Sequence, residues 1–215
     1  MAGKELEIVV GKTFSGKSTY VNNLKGVKVL KTHTTRPIRP TETGDEYYFE
    51  NGIPDTEQSN IIGFKTYNTV EGDWSYWFDL NDIPDGQPSV VVLDLHGALE
   101  VSKFLKKDTH NDVVVTYIAT PTHEIVKRIS NSSRGQTENI QESLRRLADD
   151  LEKFWVLDWI MDVNFYSSYN AYSNPYIDYD DYTKIATRGY KVDVSYFFGE
   201  GFNDEVITQL PELRF

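Results

Sequence analysis

The stretch "IVVGKTFSGKSTY", Ile8–Tyr20, decides the fold. It runs from an apolar, β-branched segment through a glycine-containing loop into "STYVNNL", which has the composition of a helix start. The pattern G-x-x-x-x-G-K-[ST] is matched by Gly11, Gly16, Lys17 and Ser18. Glycine lets backbone N–H groups turn towards phosphate oxygens, the lysine reaches the outer phosphates, and the serine hydroxyl can bind Mg²⁺. Strand, spacing and helix together indicate a loop for the phosphates of a nucleoside triphosphate.

Apolar runs alternate with helix-like stretches along much of the chain. "LEIVV", "VKVLK", "PSVVVLDL" and "VVVTYIA" are the runs, and "GALEVSKFLKK" and "THEIVKRI" are among the stretches between them. This alternation predicts an α/β fold around a parallel sheet. Val90 to Leu93 and Val113 to Ile118 suit strands that are covered on both faces. From Glu138 to Trp159, apolar residues recur every three or four positions, which predicts an amphipathic helix.

Composition limits the classes of function. The 215 residues fit one globular domain, with room for a small addition. The formal net charge of −11 argues against a general binder of nucleic acids or anionic membranes. The chain has no cysteine, which excludes disulfides, thiolate nucleophiles and cysteine metal sites, and its histidines lack metal-ligand spacing. We expect no membrane association and a cytoplasmic location, because no signal peptide or membrane-spanning run is seen.

Two segments depart from the alternation of strands and helices. Lys31 to Asp85 is rich in Thr, Gly, Asp and aromatic residues and lacks a helical period. We interpret it as an inserted subdomain, since insertions on an open sheet often complete a ligand site. Phe165 to Phe198 is crowded with tyrosines. A stacking platform for bases is one interpretation, but the interleaved aspartates would repel a nucleic acid backbone, so a structural extension packed on the domain is favoured.

A second basic cluster lies in "THTTRPIRPTETGDEYYF", Thr32–Phe49. It places Arg36 and Arg39 three residues apart, with Tyr47 downstream. Two guanidinium groups with nearby hydroxyls suit a second phosphate group, because arginine binds phosphate through paired N–H donors and keeps its charge when partly buried. A solvated basic turn is the alternative. In a chain this acidic, the paired arginines favour a binding site.

These motifs resemble those of the guanylate kinases, within the P-loop nucleoside monophosphate kinases. "TTRPIRPTETGDEYYF" is similar to the family's T-T-R-x-x-R-x-x-E signature ending in Y-x-F, with one residue fewer before the tyrosine. "VVVLDLHGA" is similar to its strand ending in I-D-x-Q-G, and "KRISNSSRGQTE" followed by "RRL" to its R-L-x-x-R-G-T-E lid. The resemblance covers about Glu5 to Asn164 and leaves the tyrosine-rich tail unmatched.

The resemblance implies a P-loop NTPase three-layer α/β fold with a parallel sheet core. It implies a guanylate kinase-like domain over 1–165, with a nucleoside monophosphate-binding insertion at about 31–85 and a lid at about 128–142, followed by an extension over 166–215. The implied activity is transfer of a phosphoryl group from ATP, with Mg²⁺, to a nucleoside monophosphate. The implied state is a monomer or a homodimer.

Roles for individual residues follow from the resemblance. Those implied to hold ATP are Gly11, Ser15, Gly16, Lys17, Ser18 and Thr19, with Ser18 also on Mg²⁺. Those implied to bind the acceptor are Thr32, Arg36, Arg39, Tyr47, Thr66, Ser75, Tyr76 and Asp94. Those implied to act on the transferring phosphoryl group are Lys17, Arg128, Arg134 and Arg146. The lid is two residues longer before Arg134 and one longer before Arg146, so Arg145 is an alternative for the last role.

The departures from the family pattern fall on base recognition. Thr66 stands where the family has a glutamate that reads guanine, and Ser75, Tyr76 and Trp77 replace a Y-G-[TS] triplet. A carboxylate accepts two N–H donors from the guanine edge, which a threonine cannot do. A site that reads a specific edge can discriminate by about 10⁴-fold. We therefore predict an acceptor other than GMP, or in addition to it, and a viral or phage enzyme is a natural setting for such a pocket.

Two other functions remain open. One is a non-catalytic guanylate kinase-like module that binds phosphorylated peptides, although intact Lys17 and Ser18 favour an enzyme. The other is a kinase that acts on a different phosphorylated acceptor. An unphosphorylated acceptor is disfavoured, because Arg36 and Arg39 would be left as desolvated and unpaired cations.

Overall fold

A computed structural model of the chain describes residues 3–39, 42–69, 72–131, 140–171 and 190–193. Three of the sequence predictions concern residues outside these ranges. They are the role of Arg134, the middle of the lid at 132–139, and nearly all of the tyrosine-rich extension. These stay predictions.

The described residues form strands and helices in an order that matches the predicted alternation. The strands are β1 (Glu5–Val10), β2 (Lys28–Val29), β3 (His33–Thr34), β4 (Tyr48–Phe49), β5 (Ile61–Thr69), β6 (Gly72–Asp79), β7 (Ser89–Val92), β8 (Asp112–Ala119) and β9 (Tyr190–Asp193). The helices are α1 (Lys17–Asn22), α2 (Leu95–Leu105), α3 (Thr122–Asn131) and α4 (Ile140–Ala171), with a 3₁₀ turn at Leu80–Asp82. The predicted helix is confirmed from Ile140 onward, and it continues twelve residues past Trp159. Ile140 and Leu144 of its apolar pattern are exposed.

The main sheet has the strand order β2-β7-β1-β8-β9. β1 pairs with β7 in parallel, with Ile8 opposite Val91, and β2 pairs with β7 in parallel, with Val29 opposite Val90. Four strands form the parallel core, so the predicted α/β fold class is confirmed. The strands are buried as their composition predicts: Ile8, Val9, Val10, Val90, Val115 and Tyr117 are fully inaccessible to solvent.

A second, four-stranded sheet lies between His33 and Asp79, with the order β4-β3-β6-β5. β5 and β6 run antiparallel, with Thr66 opposite Ser75 and Tyr67 opposite Trp74. This segment is the one interpreted from the sequence as an insertion without helical period. Its limits as a separate subdomain stay a prediction.

His33 fixes one end of the second sheet. Its ring nitrogens each lie 3.0 Å from a carboxylate oxygen, Nδ1 from Glu50 and Nε2 from Asp82. The ring also stacks on Trp77, with the centroids 5.4 Å apart. These contacts give the histidine a structural role in the second sheet.

The chain divides into two compact units. Among the described residues, one unit takes in 3–10, those within 17–116, and 193, and the other takes in 11–16, 117–131, 140–171 and 190–192. In the first unit, Glu7 of β1 accepts hydrogen bonds from Tyr20 of α1 and Thr116 of β8, at 2.8 and 2.6 Å. In the second, Leu147 of α4 packs with Ile125 and Ile129 of α3.

Within the part of the chain that the structure describes, no helix combines the length and the apolar character needed to cross a bilayer.

Candidate functional site

Two glycines give the phosphate loop, Gly11–Ser18, its course. A Cβ atom added to Gly11 would lie 2.8 Å from Ser15 Oγ and 3.1 Å from the carbonyl oxygen of Ile118, closer than side-chain packing allows. Gly16 has φ 102°, which lies in the region that favours glycine. The motif spacing thus marks two points where the backbone excludes a side chain.

The carbonyl groups of the loop are held by side chains of the second unit. Arg128 Nη1 donates to the carbonyl oxygens of Phe14 and Ser15, at 3.1 and 2.9 Å. Thr120 Oγ1 donates to the same Ser15 oxygen at 2.7 Å. Because a peptide unit is trans, these bonds turn the N–H of Gly16 in the opposite direction. Arg128, predicted to contact the phosphoryl group, here fixes the loop backbone.

Phe14 adds an apolar anchor. It has φ 55°, a left-handed conformation that costs a residue with a side chain about 1–2 kcal/mol. Its side chain packs against the cluster of Ile125, Ile129 and Leu147. Burial of the ring in this cluster offsets the strain, so the loop conformation depends on α3 and α4.

A carboxylate lies against the loop from α4. Asp150 Oδ2 accepts a hydrogen bond from the backbone N–H of Thr13 at 2.5 Å. Nearby in sequence, Lys12 and Ser15 are each only 2% exposed, and Ser15 Oγ is buried with no hydrogen-bond partner in the described structure. The loop therefore has an amide that binds an anionic oxygen and a buried hydroxyl suited to a polar group. Both features fit a phosphate.

Lys17, Ser18 and Thr19 form the first turn of α1, and the boundary between the two units falls between Gly16 and Lys17. Ser18 and Thr19 are exposed. Among the described residues, no group of three or more His, Asp or Glu side chains could hold a metal ion.

Arg36 is the centre of a second site, the arginine cluster, which consists of Arg36, Glu42, Tyr47 and Phe49. The Arg36 side chain is only 2% exposed and makes a two-point ion pair with Glu42, through Nη1 at 2.9 Å and Nη2 at 2.7 Å. Its guanidinium carbon lies 5.2 Å from the Tyr47 ring centre and 5.5 Å from that of Phe49. A buried, stacked guanidinium is a preformed anion-binding group.

The ion pair keeps both partners charged. Burial opposes the positive charge of Arg36, but its hydrogen bond to Glu42 and the charge of that carboxylate outweigh burial and raise the pKa of Arg36. Burial likewise opposes ionisation of Glu42, yet the hydrogen bonds from the Arg36 side chain and the Arg39 backbone lower the pKa of Glu42. Arg36 and Glu42 are therefore both ionised at neutral pH.

A row of tyrosines leads from the arginine cluster to α2. Tyr76 meets Tyr47 and Tyr67 edge to face, with ring centres 6.1 and 5.7 Å apart. Tyr67 Oη donates to Asp94 Oδ2 at 2.9 Å, and Asp94 Oδ1 caps α2 by accepting from the N–H of Gly97 at 2.7 Å. Four residues predicted for the acceptor, Arg36, Tyr47, Tyr76 and Asp94, are thus connected within the first unit.

Thr66 and Ser75, two of the residues that depart from the family pattern, both carry hydroxyl groups. Thr66 Oγ1 and Ser75 Oγ are 2.8 Å apart, and the Ser75 N–H donates to Thr35 Oγ1 at 2.9 Å. Thr66 is exposed, whereas Ser75 is only 4% exposed. Hydroxyls both donate and accept hydrogen bonds, so this group could bind a base edge that presents donors or one that presents acceptors.

The remaining predicted residues are Thr32, Arg39, Arg145 and Arg146. Thr32 and Arg39 make hydrogen bonds through their backbones: Tyr48 N–H donates to the Thr32 oxygen at 3.0 Å, and the Arg39 N–H donates to Glu42 at 2.9 Å. Arg145 is bound on the surface of α4 by Glu142 and Asp149, which raise its pKa. Arg146 is less exposed than Arg145, 28% against 60%.

Sequence reasoning missed four residues. Glu42 stood inside the quoted T-T-R-x-x-R-x-x-E match, so its position carried a signal that was not used. Tyr67, Thr120 and Asp150 gave none, because their partners lie 27, 105 and 137 residues away along the chain. Only the folded chain brings these groups together.

The fold of the chain is similar to that of proteins with solved structures. The chain is similar to the guanylate kinase from Anaplasma phagocytophilum, with a TM-score of 0.42 and 18% sequence identity, over 68% of this chain and 71% of that one. No protein-family model matches the chain, and no curated protein matches it. The proposed function therefore rests on the residues of this chain.

Proposed function

We propose that the protein is a kinase that transfers the terminal phosphoryl group of ATP to the phosphate of a nucleoside or deoxynucleoside 5′-monophosphate. The observation that carries the proposal is that one chain has two separate groups of residues suited to an anion. One is the glycine-shaped phosphate loop, and the other is the buried Arg36 held between Glu42 and two aromatic rings. A donor with several phosphates and an acceptor with one would use both.

The donor would occupy the phosphate loop. The Thr13 amide, which already binds a carboxylate oxygen, and the buried Ser15 hydroxyl suit phosphate oxygens. Lys17 would reach the outer phosphates and Ser18 would bind Mg²⁺. The ion would supply charge neutralisation on the phosphates, and the chain would supply orientation and exclusion of water.

The acceptor phosphate would bind at Arg36 and Arg39, with Tyr47 beside it. A phosphate acceptor is already an anionic nucleophile at neutral pH, so no general base is required. Arginines can contribute about 10³ to 10⁵ in rate to phosphoryl transfer by stabilising charge on the moving group. For that role we favour Arg146 over Arg145, because two carboxylates lie 2.7 to 2.8 Å from Arg145, whereas Glu142 Oε1 lies 3.7 Å from Arg146 Nε.

The base preference is proposed to differ from guanine. Thr66, Ser75 and Thr35 form a group of hydroxyls at 2.8 to 2.9 Å from one another or from a backbone N–H, with no carboxylate among them. Loss of a carboxylate that accepts two N–H groups should relax or redirect base choice. A wide preference for GMP or dGMP over every other monophosphate would show this part to be wrong.

The decisive experiment is a coupled ADP-release assay with ATP and Mg²⁺. The acceptors are ribo- and deoxyribonucleoside monophosphates, including thymidylate and modified pyrimidines, and Lys17→Ala is the control. Turnover with at least one acceptor, lost in the Lys17→Ala variant, is the expected result. Absence of turnover with every acceptor, in a protein that binds ATP, would contradict the proposal.

A second candidate is a non-catalytic module that binds a phosphorylated peptide at Arg36. It is favoured by the contact of Asp150 with the Thr13 amide, since a carboxylate already lies where a nucleotide phosphate would compete. Binding of a phosphorylated peptide, unaffected by Lys17→Ala and without ATP turnover, would support this candidate.

A further inference from the structure

Glu42 holds both arginines of the Arg36–Arg39 segment at once. Its Oε1 accepts from Arg36 Nη2 at 2.7 Å, and its Oε2 accepts from Arg36 Nη1 and from the Arg39 backbone N–H, both at 2.9 Å. The paired bonds to Arg36 have the parallel geometry that makes arginine–carboxylate contacts strong and directional. One carboxylate thus fixes the orientation of a guanidinium and the course of the backbone three residues later.

The hydrogen bonds of Arg36 leave one edge of its guanidinium available. A guanidinium has five N–H donors. The two on Nη1 go to the Pro37 oxygen, at 2.8 Å, and to Glu42, and one on Nη2 goes to Glu42. Within the part of the chain that the structure describes, no hydrogen bond uses the remaining donors, the Nε–H and the second Nη2–H, which point the same way from the same edge. That edge is a two-donor fork that matches two oxygens of a phosphate group.

Burial makes the orientation depend on Glu42. The Arg36 side chain is 2% exposed and that of Glu42 is 13% exposed. Removing one partner of a buried ion pair leaves an uncompensated charge, which is strongly unfavourable. Without the carboxylate, the buried charge of Arg36 would be uncompensated, and its side chain would move away from the Tyr47 and Phe49 rings.

We propose that Glu42 is a positioning residue that presents the Nε and Nη2 edge of Arg36 to the acceptor phosphate. The inference rests on the proposed function, because it takes the oxyanion at Arg36 to be the phosphate of the acceptor. Glu42 does not touch the acceptor. It acts through the guanidinium that it orients.

The kinetic test compares Glu42→Gln with Glu46→Gln. Glu46 is a matched control, since it lies in the same loop and accepts from the Thr43 and Gly44 N–H groups, at 3.0 Å each, without an arginine partner. We expect Glu42→Gln to raise the acceptor KM at least about tenfold, a loss of about 1.4 kcal/mol, with the ATP KM unchanged. Glu46→Gln should leave both within twofold, and Glu42→Asp should recover part of the loss. Equal effects of the two Gln variants would overturn the proposal.

A second readout does not need enzymatic activity. Nitrogen-15 NMR reports the Arg36 Nε–H signal, which Arg36→Lys identifies by its disappearance. Titration with inorganic phosphate, and then with the nucleoside monophosphates, should shift this signal in the intact protein and leave it unshifted in Glu42→Gln. Thermal unfolding of each variant checks that the fold is retained.

The two readouts separate the two proposals. A shift of the Arg36 signal that requires Glu42, in a protein without ADP release, would support the positioning role and contradict the kinase. ADP release with an Arg36 signal that responds to phosphate equally in wild type and Glu42→Gln would support the kinase and overturn the positioning role.

Discussion

The phosphate loop and the arginine cluster, the two proposed anion-binding sites, are built by different means. The loop is built from backbone, with a glycine where Ser15 and Ile118 leave no room for a Cβ atom and carbonyls bound by Arg128. The cluster is built from side chains, an ion pair and two aromatic rings. The shape of a site built from backbone depends on which of its residues are small. The shape of a site built from side chains depends on which side chains pair with one another. The first kind tolerates little change in shape, and the second tolerates little change in charge.

The largest effect is expected from the charge of the cluster. Arg36→Ala removes the fork and leaves Glu42 without its partner, and truncating one side of a buried charge pair costs about 2 to 5 kcal/mol. The acceptor kcat/KM should fall by at least about 30-fold while the ATP KM stays constant, as steady-state kinetics would measure. Lys31→Ala, which breaks an exposed pair with Asp45, is the control. An unchanged acceptor KM in Arg36→Ala would remove the cluster from the site.

The shape of the loop gives the next effect. Gly11→Ala places a methyl group 2.8 Å from Ser15 Oγ, and overpacking of this kind costs about 1 to 3 kcal/mol. We expect weaker ATP binding and a lower melting temperature, with acceptor binding preserved. Gly52→Ala is the control, since its added Cβ has no heavy atom within 4 Å. Equal effects of the two alanines would show that close packing does not shape the loop.

A smaller effect, of opposite sign, is expected from the carboxylate on the loop. Asp150→Asn removes a negative charge from the Thr13 amide, so ATP phosphates no longer displace a like charge. The ATP KM should fall about threefold to tenfold, as titration with ATP would also show. Asp149→Asn, whose carboxylate binds Arg145 on the helix surface, should not change it. A higher ATP KM in Asp150→Asn would mean that the carboxylate supports the loop rather than competing with nucleotide.

The smallest effect concerns the tyrosine row. Tyr67→Phe keeps the ring against Tyr76 and loses the 2.9 Å hydrogen bond to the exposed Asp94, a loss of about 0.5 kcal/mol. The acceptor KM should rise about twofold to threefold, and the ATP KM should not change. A tenfold rise in the acceptor KM would instead indicate that the Tyr67 hydroxyl binds the acceptor directly. Comparison with Tyr67→Leu would then separate the contribution of the ring from that of the hydroxyl.

The same contrast explains what the sequence could predict. The parallel strands were predictable because they are nearly continuous apolar runs, such as Val90 to Leu93. The phosphate loop was predictable because glycine spacing reports backbone shape. The second sheet was not predicted strand by strand, since β3 and β4 are two residues long and mix polar with apolar side chains.

Side-chain partners were harder to predict than backbone shape. The two arginines of the basic cluster were seen, but the carboxylate that orients one of them was not assigned a role. Nothing in the residues around Asp150 points to Thr13, because a contact across 137 residues is created by the packing of α4. The roles of the individual site residues stay predictions until the variants are measured.

Phe14 also limits how the loop can be moved to another protein. A bulky residue at a left-handed position of the loop is tolerated because Ile125, Ile129 and Leu147 supply an apolar socket for it. Replacing Phe14 by a small residue would leave a void in that socket. Grafting the loop onto another scaffold would therefore require the socket, whose residues lie more than a hundred positions away, to be moved with it.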